Sequence, residues 1–372
     1  MLCPVLLRLL VFSIEIMCVL GKVREKYYGA VIIKTGIGNR SCYQVRRNGM
    51  DNTITQAQNT IEKIVNNVEK IIIGKRQAVE LAIMTIISQG HLLIADPPGV
   101  GKTMLARSLA KSIDCTFKRI QFTPDMLPGD VTGVSVYNQK TADFEYRPGP
   151  VMSNIILADE INRANPRVQS ALLECMGEKQ VSVDGTTYTI PAPFHVLATE
   201  NPVEYESTFP LPETQLDRFL MSINLGYPAA SNEIDILDRQ QFIHPIEELQ
   251  AVTTADEVVS IQELVSRIHA DSTIKEYIVA ITGATRNHSS LYLGASPRGS
   301  LALYRASQAR ALMEKRDYVL PDDVKALVVP VLSHRIKPLS SSNTRSGDAT
   351  AILSEILETV PVPGVPHERQ HS

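Results

Sequence analysis

Apolar residues follow two different periodicities beyond residue 50 of this chain. Over residues 53–74 and again over 76–88 they recur at helical spacing, which predicts two amphipathic helices in succession. Residues 91–95, His-Leu-Leu-Ile-Ala, then form a short continuous apolar run. Such a run is typical of a strand that is buried on both faces of a parallel sheet. The sequence therefore predicts an α/β arrangement from this point.

Two further apolar runs indicate that the sheet continues. Residues 154–159 and 194–199 each have the pattern of a buried strand, and each is followed directly by polar residues. His195 lies within the second run and is predicted to be a packed core histidine. Open α/β sheets bind their ligands at the edge formed by the carboxyl ends of their strands. We therefore expect the polar residues at these strand ends to form a site.

The pattern becomes helical beyond residue 228. A capping box at Thr254 opens one predicted helix, and another is predicted over residues 272–287. Ser296 and Pro297 mark the start of a third, because a capping hydroxyl is followed by proline at the first helical position. We predict an α/β core over residues 51–228, an all-helical region over 229–360 and a flexible tail over 361–372.

Two segments of the predicted core have the pattern of β-hairpins. Residues 134–146 alternate apolar and polar positions around a polar centre. Residues 180–190 contain two β-rich runs separated by Asp184-Gly185, which is a favoured two-residue hairpin turn. Both segments are predicted to form hairpins.

The charge distribution separates the first 50 residues from the rest. The net charge of the 372 residues is −3, and the composition, with 44% apolar and 21% charged residues, is that of an ordinary globular protein. Residues 1–50 hold eight basic and two acidic residues, whereas residues 51–372 hold 29 basic and 38 acidic residues. Binding to phosphate backbones depends on clustered lysine and arginine. The acidic body of the chain, residues 51–372, therefore disfavours a dedicated nucleic-acid-binding protein.

The basic leader, residues 1–50, is expected to lie outside the fold. Its first 20 residues are apolar but are interrupted by Pro4, Arg8, Ser13 and Glu15, which argues against a membrane span. A signal peptide is the alternative, but no small-x-small cleavage site precedes Gly21. Three of the five cysteines lie in the leader, and the other two lack metal-site spacing. We expect a reducing, cytoplasmic location without membrane association.

Residues 96–103, Asp-Pro-Pro-Gly-Val-Gly-Lys-Thr, lie between a predicted strand and a predicted helix, as a phosphate-binding loop requires. Backbone N–H groups and the helix N-terminus would face the phosphates, Lys102 would reach the β and γ oxygens, and the Thr103 hydroxyl would bind Mg²⁺. Asp96 stands where the usual pattern has glycine. A chance Gly-Lys-Thr turn is the alternative, which the flanking strand and helix disfavour. The candidate nucleotide-binding residues of this segment are Asp96, Pro97, Pro98, Gly99, Val100, Gly101, Lys102, Thr103 and Met104.

Asp159 and Glu160 end the second predicted strand and are the candidate acidic partners of this loop. Asp159 would hold Mg²⁺ through water, so the candidate metal-binding residues are Thr103 and Asp159. Glu160 would orient and polarise the attacking water. A solvated acidic pair at the start of the next helix is the alternative interpretation. Asn201 follows the third strand, where its amide would contact the γ-phosphate or the water, although an isolated Asn-Pro is more often a turn.

Four motifs in one order resemble the MoxR family of AAA+ ATPases. They are LADEINRA at 157–164, SALLE at 170–174, ATENP at 198–202 and LPETQLDRF at 211–219. The resemblance extends over about residues 68–363. Members of that family commonly carry aspartate at the position of Asp96, whereas Glu200 stands where the family has glutamine.

The resemblance implies a P-loop NTPase core of the AAA+ type, with a parallel sheet and a C-terminal all-helical lid. It implies catalytic roles for Glu160, for Asn201 as sensor 1, for Arg218 as the arginine finger and for Arg298 as sensor 2. An arginine finger acts on the neighbouring subunit's ATP, so a ring, expected to be a hexamer, is implied. Arg163 is a second candidate for an interface role. Without the motif, Arg218 would be interpreted as a surface residue paired with an acidic neighbour.

The function that the resemblance implies is hydrolysis of ATP, with Mg²⁺, to drive chaperone-like remodelling of partner proteins or metal insertion into them. A separate chain with a von Willebrand factor A domain is the implied partner, and the client protein is not indicated. In related ATPases hairpins such as 180–190 face the ring pore, while simple packing is the equal alternative here. A magnesium-chelatase-like motor subunit and a non-hydrolysing, nucleotide-gated scaffold are the alternative functions. The acidic body disfavours a motor that acts on DNA.

Overall fold

The computed structural model describes residues 32–33, 44–45, 48–201, 208–239, 245–339 and 345–363. The chain divides into two units, Met1–Thr53 and Ile54–Ser372. In the first unit, strands β1 (Ile32–Ile33) and β2 (Gln44–Val45) pair in antiparallel orientation. The other residues of the predicted leader up to residue 47, and most of the predicted tail over 361–372, lie outside the described residues.

A five-stranded parallel sheet forms the centre of the second unit. Three of its strands correspond to the predicted runs, although their bounds differ by one residue at one or both ends. Two others, at the sheet's edges, were not predicted. In spatial order the strands are β11 (Met221–Ile223), β3 (Leu92–Ala95), β10 (His195–Glu200), β7 (Ile155–Asp159) and β4 (Phe117–Gln121).

Helices cover both faces of this sheet, which explains the continuous apolar runs of its three central strands. Successive residues of β3 point to opposite faces, so that Leu92 and Ile94 belong to one hydrophobic cluster and Leu93 to the other. Beside the strands, the core contains α1 (Asn48–Glu69), α2 (Arg76–Ile87), α3 (Lys102–Ser112), α4 (Pro128–Thr132), α5 (Pro166–Glu178) and α6 (Glu213–Leu216).

Both predicted hairpins are confirmed. The first pairs β5 (Gly133–Asn138) with β6 (Asp143–Pro148), and the second pairs β8 (Gln180–Val183) with β9 (Thr186–Thr189). Asp184 and Gly185 have φ values of 49° and 80°, the left-handed pair that a tight hairpin turn requires. The rings of Tyr146 and Tyr188 stack with their centroids 4.1 Å apart, so the two hairpins contact each other.

The C-terminal part of the chain is a helical lid, as predicted, with one addition. A short antiparallel ribbon, β12 (Leu291–Leu293) with β13 (Lys337–Pro338), was not predicted. Within the described part of the chain, no helix combines the length and the apolar character that crossing a bilayer requires. The helices are α7 (Ala230–Arg239), α8 (Pro245–Glu248), α9 (Ala255–Val265), α10 (Ser272–Arg286), α11 (Pro297–Met313), α12 (Pro321–Leu332) and α13 (Arg345–Thr359).

Candidate functional site

The loop between β3 and α3 has the backbone of an anion-binding loop. Gly99 and Gly101 have φ values of +89° and +95°, which side chains other than glycine rarely adopt. A Cβ atom on Gly99 would meet no heavy atom within 4 Å, so the loop is open on that side. Gly101 lies directly before α3 and has no side chain that could cap the helix, so the helix N-terminus can bind an anion. The loop therefore fits a phosphate chain.

Two apolar residues anchor the loop to the core. Val100 and Met104 pack against the hydrophobic cluster beneath the loop. Pro98 and Gly99 are exposed, Pro97 is half-buried, and Thr103 is half-buried in the first turn of α3. The apolar anchors hold one side of the loop while its glycines stay accessible to a ligand.

Lys102 is held at the centre of the loop. Its Nζ atom donates a hydrogen bond to the Asp96 carbonyl oxygen at 2.7 Å, and the residue is buried. Burial lowers the pKa of Lys102, whereas the nearby carboxylates of Asp159, Asp96 and Glu160 act in the opposite direction. A lysine partly removed from water and close to acidic groups is suited to bind the oxygens of a phosphate.

The Asp96 carboxylate binds backbone groups outside the loop. It accepts hydrogen bonds from the backbone N–H groups of Leu225, at 2.5 Å, and Gly226, at 3.2 Å, just beyond β11. Asp96 thus ties the loop to the next strand of the sheet. This contact explains a carboxylate at the position where the usual loop pattern has glycine, and it leaves the Asp96 backbone as the part that faces Lys102.

Asp159 is held by two polar neighbours at the end of β7. Its Oδ1 atom accepts a hydrogen bond from the Thr199 hydroxyl at 2.7 Å. Its Oδ2 atom accepts from Arg119, at 3.0 Å from Nε and 2.6 Å from Nη2. Asp159 is buried, and a buried carboxylate needs such partners. Together with the Thr103 hydroxyl it offers oxygen ligands of the kind that Mg²⁺ prefers.

Glu160 has an unusual backbone and a firmly placed side chain. Its φ of 57° is rare for a residue other than glycine, and its N–H donates to the Thr199 hydroxyl at 2.8 Å. Its Oε2 atom accepts from Gln121 at 2.8 Å and from Arg163 at 3.0 Å. Arg163, predicted as a candidate for an interface, therefore pairs with Glu160 of its own chain.

The sheet register brings these groups to one edge. Glu200 of β10 pairs with Ala95 of β3, and Gln121 of β4 pairs with Asp159 of β7. Asn201 is buried directly after β10. The phosphate loop, both acidic residues and Asn201 therefore share the carboxyl edge of adjacent strands, as the sequence predicted. Burial also raises the pKa of the Glu200 carboxyl to about 6.

The two predicted arginines lie outside this cluster. Arg218 is exposed, and its Nη1 atom donates to the Leu173 carbonyl oxygen of α5 at 2.5 Å. Arg298 is exposed in the first turn of α11, where its N–H donates to the Ser296 hydroxyl at 3.1 Å. Among the described residues, no hydrogen bond links either arginine side chain to the phosphate loop, Asp159 or Glu160.

Three residues of the cluster were not singled out from the sequence. Thr199 was treated as part of an apolar strand, although its hydroxyl contacts both acidic residues. Arg119 and Gln121 lie on β4, a strand that the apolar pattern did not predict. Its position near a strand end, two residues before Asn201 and within the ATENP motif, is the signal that could have drawn attention to it.

Two protein-family models match the chain at the core and the lid. Residues 91–221 match the model of the ATPase family associated with various cellular activities, or AAA. Residues 283–356 match the AAA lid domain. The first match contains the phosphate loop, Asp159, Glu160, Asn201 and Arg218, and the second contains Arg298.

Individual similar proteins show which family of AAA ATPases the chain belongs to. The chaperone MoxR1 of Mycobacterium tuberculosis is 40% identical over 303 residues, which are 79% of this chain and 80% of that protein. The chain belongs to the MoxR family of AAA+ ATPases. The uncharacterized protein YeaC of Bacillus subtilis is 53% identical over 292 residues, which are 78% of this chain and 91% of YeaC.

A solved structure supports the same fold. A crystal structure of a Cytophaga hutchinsonii protein superposes with a TM-score of 0.78 at 37% identity, over 84% of this chain and 98% of that one. The MoxR family membership accounts for both parts of the fold, a parallel-sheet P-loop core and a helical lid. This chain thus has the two-part fold of the MoxR-family AAA+ ATPases.

Proposed function

We propose that this MoxR-family protein binds ATP with Mg²⁺ and hydrolyses it to ADP and phosphate. The observation that carries the proposal is the placement of Glu160, which Thr199, Gln121 and Arg163 hold beside the phosphate loop. A carboxylate fixed next to a phosphate-binding loop can accept a proton from water. Water would attack the γ-phosphorus, the bond to the β–γ bridging oxygen would break, and the water's proton would pass to Glu160.

The loop would bind the triphosphate through its backbone N–H groups and Lys102. Thr103 and Asp159 would hold Mg²⁺, the first through its hydroxyl and the second through water. The ion, when bound, neutralises charge on the β- and γ-phosphates. Asn201 would orient the attacking water or the γ-phosphate from the neighbouring strand end, since its amide can both donate and accept hydrogen bonds.

Arg218 and Arg298 would complete the site in an oligomer. The exposure of Arg218 supports its action on a neighbouring subunit's ATP, where a guanidinium stabilises the charge of the transition state. Arg298, at the start of a lid helix, would contact the γ-phosphate in its own subunit. AAA+ ATPases generally assemble as rings, and we propose a hexamer for this chain.

The energy of hydrolysis would drive the remodelling of partner proteins in the cytoplasm. The relative named as a chaperone supports this use. Metal insertion or maturation of a partner, with a separate von Willebrand factor A domain chain, is a narrower form of the proposal. A magnesium-chelatase-like motor would differ in its partner, whereas a non-hydrolysing scaffold would release no phosphate.

The Glu160→Gln variant tests the proposed chemistry. It keeps the size of the side chain and its contacts as an acceptor but removes the carboxylate that takes the proton. We expect phosphate release to fall at least about 100-fold, the lower end of what a general base contributes, while ATP remains bound. Phosphate release and retention of a fluorescent ATP analogue are the measurements.

Glu178→Gln, at an exposed position on α5, is the matched control and should retain wild-type turnover. If the assembled wild-type protein released no phosphate, or if Glu160→Gln hydrolysed ATP at the wild-type rate, the proposed function would be wrong.

A further inference from the structure

A buried ion pair joins the lid to the segment that carries Arg218. The Nε atom of Arg335, which follows α12, lies 2.9 Å from Oδ1 of Asp217. The Arg335 side chain is only 2% exposed, and its other nitrogens donate to the carbonyl oxygens of Phe219, at 2.5 Å, and Leu220, at 3.1 Å. One lid guanidinium therefore fixes the backbone and the carboxylate on both sides of Arg218.

The second oxygen of the same carboxylate binds another part of the lid. The Ser296 hydroxyl donates to Asp217 Oδ2 at 2.7 Å and accepts the N–H of Arg298 at 3.1 Å. A Cβ atom on Gly299 would lie 3.4 Å from Cδ of Arg335, so the Arg335 side chain packs against this first turn of α11. Asp217 is thus held by the lid through both oxygens, from two different elements.

The cluster connects two arginines that the proposed chemistry uses for different nucleotides. Asp217 directly precedes Arg218, which would act on the neighbour's ATP. Ser296 lies two residues before Arg298, which would contact the ATP of its own subunit. Because Arg335 is buried and Asp217 is hydrogen-bonded to the lid through both oxygens, a shift of the α11 turn cannot be absorbed locally without breaking the Ser296–Asp217 hydrogen bond or moving Asp217.

We propose that Asp217, Ser296 and Arg335 are positioning residues that couple nucleotide binding in one subunit to the arginine that this subunit supplies to the next. The inference rests on the proposed roles of Arg218 and Arg298. When Arg298 engages a γ-phosphate, the turn at Ser296 shifts, Asp217 follows, and Arg218 leaves the Leu173 carbonyl oxygen for the neighbour's site.

Ser296 offers a substitution that separates this coupling from helix stability. Ser296→Asp keeps an oxygen that caps α11, and its charge is favourable at a helix N-terminus, but it places a second carboxylate against Asp217. Ser296→Thr keeps a hydroxyl that both donates and accepts, and it is the matched control. Arg335 and Asp217 are left intact, because removing one partner of a buried pair would itself endanger folding.

Mixed oligomers measure the coupling. The acceptor is Arg218→Ala, which needs an arginine from a neighbour. The donor is either Glu160→Gln, which binds ATP without hydrolysing it, or Lys102→Ala, which does not bind ATP. Phosphate release is expressed per incorporated donor, and a tag on the donor measures its incorporation. We expect phosphate release with the ATP-loaded donor to be at least about five times that with the empty donor. A factor of about five is the lower range of ordinary coupling between sites.

The Ser296 variants then decide the origin of this difference. Adding Ser296→Asp to both donors should make their turnover equal, and adding Ser296→Thr should preserve the difference. A purely structural role would instead lower both donors together and leave their ratio unchanged. Equal turnover with the two donors that carry native Ser296, or an unchanged ratio with Ser296→Asp, would overturn the proposed coupling but not the proposed role of Arg218. Absence of turnover with every donor would overturn the proposed role of Arg218 as well.

Discussion

Thr199 is the residue on which the geometry of the two acidic side chains depends. It is fully buried, donates to Asp159 and accepts from the backbone N–H of Glu160. One hydroxyl thus sets both the proposed metal ligand and the turn that carries the proposed base. The positive φ of Glu160 persists because this contact and the strand beneath it leave the turn little freedom.

Replacing Thr199 by valine should damage both stability and turnover. The shape is retained, but the buried carboxylate and the Glu160 N–H each lose a partner. We expect the free energy of unfolding to fall by about 1–3 kcal/mol, the usual penalty for unsatisfied buried groups. Urea unfolding and phosphate release measure the two effects. Thr199→Ser, which keeps the hydroxyl, should stay near the wild type; equal losses in both variants would contradict this role.

Much of the candidate site could be predicted from the residues alone. The loop at 96–103 and the acids after the second strand follow from chemistry that requires particular residue types at strand ends. The pairing of Asp159 with Arg119, and of Glu160 with Gln121, could not be predicted. Those contacts depend on β4 lying beside β7 with Gln121 opposite Asp159, which is a property of strand order and register.

Two buried histidines lie at the start of neighbouring strands. His91 directly precedes β3, and His195 is the first residue of β10. The rings of His91 and His195 stack 6.2 Å apart, and His91 bonds to the Met176 carbonyl oxygen and to the Val196 N–H. Burial lowers the pKa of His91 to about 3, with contributions from His195 and Lys179, and that of His195 to about 4. Both rings are therefore neutral in the folded protein at physiological pH.

These neutral histidines predict a loss of stability in acid. Below the ordinary histidine pKa of about 6.5 the histidines are protonated in the unfolded chain but stay neutral in the folded chain. The free energy of unfolding therefore falls as the pH drops from about 6.5 towards the folded pKa values. At pH 5 each of the two histidines should lower the free energy of unfolding by about 2 kcal/mol relative to neutral pH. His195→Asn keeps a donor for the Gly90 carbonyl oxygen but cannot be charged.

Urea unfolding at pH 7.5 and pH 5 checks this expectation. The wild type should lose about 2 kcal/mol more than His195→Asn between the two pH values. Identical losses in the two proteins would show that His195 is not a source of the acid sensitivity.

Elements with a strong local signal were predicted, and those that depend on distant partners were not. The turn at Asp184-Gly185 specifies its own hairpin, because both residues tolerate left-handed backbone. The edge strand β4 exposes Lys118, Arg119 and Gln121, so it has no continuous apolar run. The other edge strand, β11, has only three residues. Their places in the sheet are fixed by pairing with β7 and β3.

Two ion pairs of contrasting burial attach the lid to the core. Arg335 and Asp217 are largely buried, and burial lowers the pKa of Arg335 to about 10, so it remains charged at neutral pH. Lys337 lies two residues after Arg335, and Glu213 lies four residues before Asp217. The Nζ atom of Lys337 is 2.6 Å from Oε1 of Glu213, and this pair is exposed. The same contact region thus offers a comparison of a buried and an exposed pair.

Substitution of the two lid cations should have very different effects. Arg335→Met leaves the Asp217 carboxylate without its buried partner, and should cost about 3–5 kcal/mol of stability. Lys337→Met removes an exposed pair and should cost less than about 1 kcal/mol. Urea unfolding of both variants measures the difference. Similar small losses would mean that Arg335 does not hold the lid on the core.

The proposed enzyme acts only when two subunits share a site, and this sharing can be measured directly. Arg218→Ala and Glu160→Gln should each be nearly inactive alone, because every site lacks either the finger or the base. Mixed in equal amounts, they should recover about a quarter of wild-type phosphate release, since half of the subunits retain Glu160 and half of those have a neighbour with Arg218. Recovery at that level is the predicted result. A mixture as inactive as its components, in oligomers that contain both chains, would contradict a shared ATPase site.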